Sequence, residues 1–280
     1  IYWRKMSENP LSEYFKKPGI YVKLPSEGNY YDEDIALSST GEIEILPMSA
    51  KDEMHFKSPD ALLNGESLIK VIANCVPGIK NPREIPLPDL SVILVGLRIA
   101  TYGNDMNIYA TCPSCENRDE LTYDISRLLD NIDDITTNNT ISIKDALIYT
   151  KPYTLALHTR IAIATFEQSM LTAKLESTSQ SDEDAIKQLA AGYAKITALH
   201  FNLLADSITK VELPNDVTVT NKEHIREWVI NTDKKTYNTM RDFIEILNKE
   251  KVNNNFQHTC SKCKEEFSSD IDFDPTSFFG

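Results

Sequence analysis

Apolar and polar positions change their period several times along the chain, and each change marks an element. Ile20-Tyr21-Val22-Lys23-Leu24 alternates with period two and stops at Pro25, which predicts a strand. Glu42-Ile43-Glu44-Ile45 alternates again before Pro47 and predicts a second, across a turn-rich stretch that ends Ser38-Ser39-Thr40-Gly41. Ser49 with Asp52 forms an N-cap signal for a short helix toward Phe56, and Ser58-Pro59 sets proline at the first position of another. The period then becomes helical. Leu68, Ile69, Ile72 and Val76 form a stripe that ends at Pro77-Gly78, and Leu90, Ile93, Leu94, Leu97 and Thr101 form one that ends at Gly103.

Short strand patterns follow at Met106 to Ala110 and Leu121 to Ile125, with Cys112-Pro113-Ser114-Cys115 in the turn between them. Asp130 to Asn139 is acidic and polar and reads as a linker. Ile143 to Tyr149 predicts one strand, and Thr154 caps a helix running to about Leu175. Glu176 to Ser181 reads as a loop whose last residue caps the next helix. That helix carries Ile186, Leu189, Tyr193, Ile196, His200 and Leu203 at alternating spacings of three and four, the rhythm of a helix packed along a seam. Val211-Glu212-Leu213 and Val217-Thr218-Val219 flank Pro214-Asn215-Asp216 as a small hairpin. Asn221 caps a helix bearing Ile225, Trp228 and Val229, and a last helix carries Tyr237, Met240, Phe243, Ile244 and Leu247. From Phe256 onward strand-like text returns around Cys260-Ser261-Lys262-Cys263.

The chain has 280 residues, 41% of them apolar, which is enough to bury a core without covalent staples. Its longest apolar runs, such as Leu90 to Leu97, fall well short of the roughly 20 residues of a membrane helix. No apolar segment stands behind the charges of Ile1-Tyr2-Trp3-Arg4-Lys5, so no secretion signal is expected, and Met6 is a candidate start. The expected class is a soluble intracellular protein. A net charge of −13 argues against a nucleic-acid binder, whose affinity comes from Lys and Arg contacts to phosphate.

Two Cys-x-x-Cys pairs account for four of the five cysteines. Thr111-Cys112 and Thr259-Cys260 open them in matching contexts, each followed by strand text, Leu121 to Ile125 and Phe267 to Ile271. A Cys-x-x-Cys turn aims two sulfurs at one point and supplies half of a tetrahedral zinc site with Zn–S distances of about 2.3 Å. Two such turns complete a closed site, structural and not hydrolytic, so one zinc per chain held by Cys112, Cys115, Cys260 and Cys263 is expected. Residues 116–259 lie between the pairs, far more than the roughly 15–20 of an ordinary ribbon. The resulting fold class is α+β: small antiparallel β elements, a four-cysteine zinc ribbon, and a large mostly α-helical insertion between its knuckles. The expected division is an N-terminal α+β region over 1–104, a split ribbon-like module over 105–129 and 256–280, and a mainly helical insertion over 130–255.

Redox pairs and metal-free pairs are the rivals; a redox Cys-x-x-Cys opens a helix, whereas strands follow here. His258 is a competing ligand two residues before Cys260. Cys75, in the apolar stretch Leu68 to Val76, reads as a buried free thiol. The five histidines are scattered; His200, on the helical stripe, reads as a satisfied core residue. No nucleophile elbow, zinc-protease, P-loop or dinucleotide signature is present, and no catalytic residue is assigned. Arg98 reads as a buried ion-pair partner.

Several runs together carry a resemblance. They are Tyr21-Val22-Lys23-Leu24-Pro25-Ser26, then Pro47-Met48-Ser49-Ala50-Lys51-Asp52-Glu53, then Ser58-Pro59-Asp60-Ala61-Leu62-Leu63-Asn64-Gly65. The most distinctive is Leu97-Arg98-Ile99-Ala100-Thr101-Tyr102-Gly103 followed by Cys112-Pro113-Ser114-Cys115. In this order the chain resembles the baseplate hub and tail-assembly proteins of contractile-tailed bacteriophages. The resemblance covers residues 15–130 and the closing segment to Phe278-Phe279-Gly280; the middle is longer and more helical than the family leads one to expect. It implies a non-enzymatic virion component assembled in the bacterial cytoplasm, an oligomer within a larger assembly, in contact with hub, tube and tape-measure proteins. Neither nucleic acid nor membrane is an implied partner. The alternative is an assembly chaperone for the hub or tape measure that leaves before the virion matures. Candidate contact surfaces are the helix with Ile186, Tyr193 and Leu203 and the tail aromatics Phe278 and Phe279, which either dock on a neighbour or tuck back onto the ribbon.

Overall fold

The computed structural model describes residues 19–56, 65–130, 132, 135, 139–177, 183–249, 251–252, 254–271 and 278–279. The alternating segments form β1 (Ile20–Lys23) and β2 (Glu42–Ile45), paired antiparallel with Val22 opposite Ile43. Val22, Ile43 and Ile45 point into the core and are essentially inaccessible. The helix α1 (Ala50–Phe56) opens as expected, with the Ser49 N–H and hydroxyl both donating to Asp52 Oδ2. The helix expected from Ser58-Pro59 lies outside the described residues. Two further helices follow, α2 (Glu66–Cys75) and α3 (Leu87–Tyr102).

The α3 helix is not amphipathic as its stripe suggested. Val92, Ile93, Leu94, Val95 and Leu97 are all buried, so α3 runs through the core with apolar neighbours around its middle turns. Gly96 allows the close approach, because a Cβ there would overlap the Cδ1 of Ile45. At its first turn Asp89 is wholly buried and accepts hydrogen bonds from the Ser26 N–H (2.9 Å), the Ser26 hydroxyl and the Tyr31 hydroxyl (2.9 Å). That carboxylate fastens the loop after β1 to α3. Cys75 is buried, as expected. Among the described residues Arg98 has no ion-pair partner; its Nε donates to the Phe278 carbonyl at 3.2 Å and its guanidinium lies over the Tyr102 ring.

After α3 come the hairpin β3 (Asp105–Thr111) and β4 (Arg118–Asp124) and, at the other end of the chain, the hairpin β9 (Asn255–Thr259) and β10 (Glu266–Asp270). Both hairpins share the core of β1, β2 and α3: Ile108, Ala110, Phe256, Phe267 and Ile271 belong to one apolar cluster with Val22, Ile45 and Leu97. Phe278 and Phe279 belong to it as well, 1% and 7% exposed. The tail aromatics are therefore core residues and not a docking peptide, because two buried rings leave no surface for a neighbour.

The intervening chain builds a second core. The single strand expected over Ile143 to Tyr149 is a hairpin, β5 (Thr140–Ile143) and β6 (Ala146–Thr150), turning at Lys144 with φ 55°. With β7 (Ile208–Leu213) and β8 (Val217–Val219) it forms a four-stranded antiparallel sheet in the order β5-β6-β7-β8. The helices α6 (Lys222–Asn231), capped by Asn221, and α7 (Lys234–Leu247), capped by Asp233, cover it through Ile225, Val229, Met240 and Ile244. Between β6 and β7 rises a helical hairpin, α4 (Leu155–Ser177) and α5 (Glu183–Ser207). The two cores meet where Leu87 N–H donates to the Tyr153 carbonyl and Leu155 N–H to the Ile85 carbonyl, both at 2.9 Å.

The seam of the helical hairpin keeps Leu189, Ile196 and Leu203 of the expected stripe and adds Gly192 and Leu199, with Ala164 and Gln168 buried on α4. Tyr193, 54% exposed, and His200 fall off the seam onto a flank, and the Ile186 side chain lies outside the described ones. His200 is thus a solvent-facing residue. Gln168 crosses the seam to donate to the Leu189 carbonyl at 3.2 Å, and a Cβ on Gly192 would coincide with its Oε1. Among the described residues no helix is long and apolar enough to cross a membrane.

Two outcomes follow from these packings. Gly192→Ala should displace the Gln168 amide from the Leu189 carbonyl, so Gln168→Ala should lower the thermal midpoint less in the Gly192→Ala background than in the native chain. Burial pushes the Asp89 carboxyl up to about 6 despite its three donors, so the ionised form is disfavoured in the folded chain. Its contribution is greatest below the ordinary carboxylate pKa and disappears as pH rises through about 6. Urea unfolding should show the native protein gaining about 1 kcal/mol relative to Asp89→Asn between pH 7 and pH 5.

Candidate metal centre

Each Cys-x-x-Cys occupies the turn of its hairpin, and the two turns have the same backbone. Cys112 N–H donates to the Asn117 carbonyl and Glu116 N–H to the Cys112 carbonyl, at 2.9 and 3.0 Å. Cys260 N–H donates to the Glu265 carbonyl and Lys264 N–H to the Cys260 carbonyl, at 2.8 and 3.1 Å. The residue after the second cysteine is left-handed in both, Glu116 with φ 56° and Lys264 with φ 65°. Such a position favours glycine, and neither turn has one, so this signal was invisible in the sequence.

The turns face each other. Cys112 Sγ lies 3.5 Å from Cys263 Sγ, Cys115 Sγ lies 3.6 Å from Cys260 Sγ, and all four sulfurs fall within 4.8 Å of one another. No pair is a disulfide. A tetrahedron with Zn–S bonds of about 2.3 Å has edges of about 3.8 Å, so the four sulfurs fit the donor set of one ion. Cys112 and Cys260 are buried, Cys115 is intermediate and Cys263 is exposed, so the cluster sits at the rim of the core.

Electrostatics point the same way. The N–H groups of Cys263 and Lys262 are directed at the Cys260 sulfur and bring its pKa down to about 6. At Cys263 the Glu265 N–H pulls downward, but the neighbouring sulfurs and burial outweigh it and push the thiol up to about 12. Four crowded thiols cannot all ionise without a cation between them. The arrangement can hold a metal, and with four sulfurs converging it offers no open coordination position for a substrate.

A carboxylate behind the sulfurs ties the turns together. Asp119, on β4 opposite Ala110, is 9% exposed. It accepts from Asn117 Nδ2 (2.7 Å), from the Ser261 N–H (2.9 Å), from the Ser261 hydroxyl (2.5 Å) and from His258 Nε2 (2.8 Å). The Ser261 bonds, chiefly, hold Asp119 well below the usual carboxylate range; it is therefore an acceptor only, and His258 Nε2 carries the hydrogen. His258 is thus no part of the thiol set; it bridges to the other hairpin and meets the Phe267 ring edge-on. Asp119 belongs to no sequence motif. The available signal was its parity: Asp119, Leu121 and Tyr123 alternate on one face of β4.

A mixed α+β chain with four cysteine sulfurs gathered at one point has a donor set of the kind that closed, four-coordinate metal sites use. A family model described as T4 bacteriophage base plate protein matches residues 19–280, and the chain belongs to that family. Membership carries a bacteriophage baseplate role, association with other tail proteins and a place in the virion tail. No curated protein and no solved structure matches the chain.

Asp119→Ala should lower zinc affinity about 10- to 100-fold in chelator competition, with the circular dichroism spectrum retained. An unchanged affinity would mean that the turn backbones alone position the sulfurs.

Proposed function

We propose that the protein is a structural subunit of the baseplate hub, stabilised by one zinc ion on Cys112, Cys115, Cys260 and Cys263, and acting through protein–protein contacts during tail assembly. The observation that carries the metal reading is the convergence of four sulfurs from turns 145 positions apart. The ion supplies charge neutralisation and a cross-link and no reactive position. Joining such distant points is worth about 5 kcal/mol in the chain-entropy picture. On this reading the ribbon-like module over 105–129 and 256–280 holds the ends of the insertion over 130–255, while the region over 1–104 provides the floor. The hub assignment rests on the runs that resemble hub and tail-assembly proteins, and family membership supports the wider baseplate role.

Metal analysis of the purified chain should find one zinc per chain, lost in Cys260→Ser and in Cys263→Ser, and chelation should lower the thermal midpoint. No zinc, or a full equivalent retained in both variants, would sink the shared site. Mass spectrometry of purified particles should find the chain in fixed stoichiometry. Its absence from mature particles would instead assign it as an assembly chaperone.

A further inference from the structure

A cavity of about 290 Å³ opens where the two cores meet, and its charge is opposite to that of the chain. Lys151 enters from the corner between β6 and α4, Arg160 from the second turn of α4, and Lys222 from the start of α6. Two carboxylates, Glu84 and Asp206, share the lining, so cations prevail locally in a chain of net charge −13.

The two carboxylates are shared among more cations than they can neutralise. Asp206 is directed to Arg226, 3.6 Å away. Lys222 donates to the carbonyls of Asp206 and Ile208, at 3.3 and 2.6 Å, closing the end of α5. Glu84 lies in the field of Lys151, but among the described residues neither Lys151 nor Arg160 makes a side-chain hydrogen bond or an ion pair within 4 Å. Burial, then the like charge of Lys151, lowers the Lys222 pKa against the pull of Asp206, so the positive groups crowd one another. A guanidinium and an ammonium converging on one small opening match a carboxylate, which Arg grips with two parallel hydrogen bonds and Lys meets as a point charge.

We infer that this cavity receives an acidic side chain, Asp or Glu, presented by a partner polypeptide, with Lys151 and Arg160 as the residues that hold it. Its volume is just below the roughly 300–1,000 Å³ of small-molecule and cofactor sites and suits a single side chain. A carboxylate carried on a polypeptide also meets the apolar part of the lining, Ala156 and Leu157, a contact that a free phosphate lacks. Because the cavity walls come from both cores, an occupant there would read and fix their relation. The inference rests on the protein acting by association, and not on the metal.

The test uses the full chain, isotope-labelled, titrated with a capped triglutamate peptide and separately with inorganic phosphate, following backbone amide signals. Saturable shifts at Lys151, Ala156 and Ser207 are expected with the peptide. Its affinity should fall at least tenfold in the Lys151→Gln/Arg160→Gln double variant and stay unchanged in Lys80→Gln; signals remote from the cavity report whether the variant is folded. No saturable shift in the native chain, or equal affinity in the double variant, overturns the proposal. Phosphate binding more tightly than the peptide also overturns it and assigns the cavity to a free anion. None of these outcomes alters the zinc content or the presence of the chain in particles, so the baseplate reading is tested apart.

Discussion

The core of the N-terminal half is completed from the far end of the chain. Val22, Ile43 and Ile45 pack in one cluster with Phe256, Phe267, Ile271, Phe278 and Phe279, and without those rings α3 would expose apolar surface that its composition cannot tolerate. The chain between Leu129 and Val252, which touches that core at Leu155, must therefore leave it and return to it. That requirement explains why the intervening residues form a second body with its own core, and why the two hairpins can bring their turns to one point. It also means that the most important contacts are the most distant in sequence, which is costly in loop entropy during folding and rewarded only when both ends are in place.

Three buried aspartates set the alignment of these parts, each with a serine. Asp52 pairs with Ser49 within one helix start, Asp89 with Ser26 across 63 positions, and Asp119 with Ser261 across 142. Burying a carboxylate is unfavourable unless its lone pairs are met, so each pairing admits one arrangement and penalises neighbours of it. Apolar packing holds the elements together; these three groups decide which residue faces which.

The local elements were legible because their signals are local. Pro25, Pro47 and Gly103 punctuate the chain where elements end, Asn221 caps α6, and the two Cys-x-x-Cys turns announce one another by their matching flanks. What was misread depends on what lies opposite. The stripe on α5 was right at Leu189, Ile196 and Leu203 and wrong at Tyr193 and His200, where Gly192 and Leu199 take the seam positions and Gly192 admits Gln168. Asp119 carried no signal of its role because its donors, Ser261 and His258, belong to the other hairpin. Phe278 and Phe279 take the tucked-back alternative, in one cluster with the ribbon residues Phe256 and Phe267, and the part that sequence did not show is that Val22, Ile43 and Ile45 share that cluster. Arg98, likewise, finds a backbone carbonyl that no reading of its own helix reveals.

The helical hairpin between β6 and β7 has both roots in adjacent strands of one sheet. Such an arm can be lengthened or shortened without disturbing its base, provided that residues are added to both helices in sevens so that the seam stays in phase. Each such step would change its reach by about 10 Å. The arm is thus a ruler whose divisions are heptads, and related chains can span different gaps between neighbours while keeping the same sheet and the same sulfur cluster.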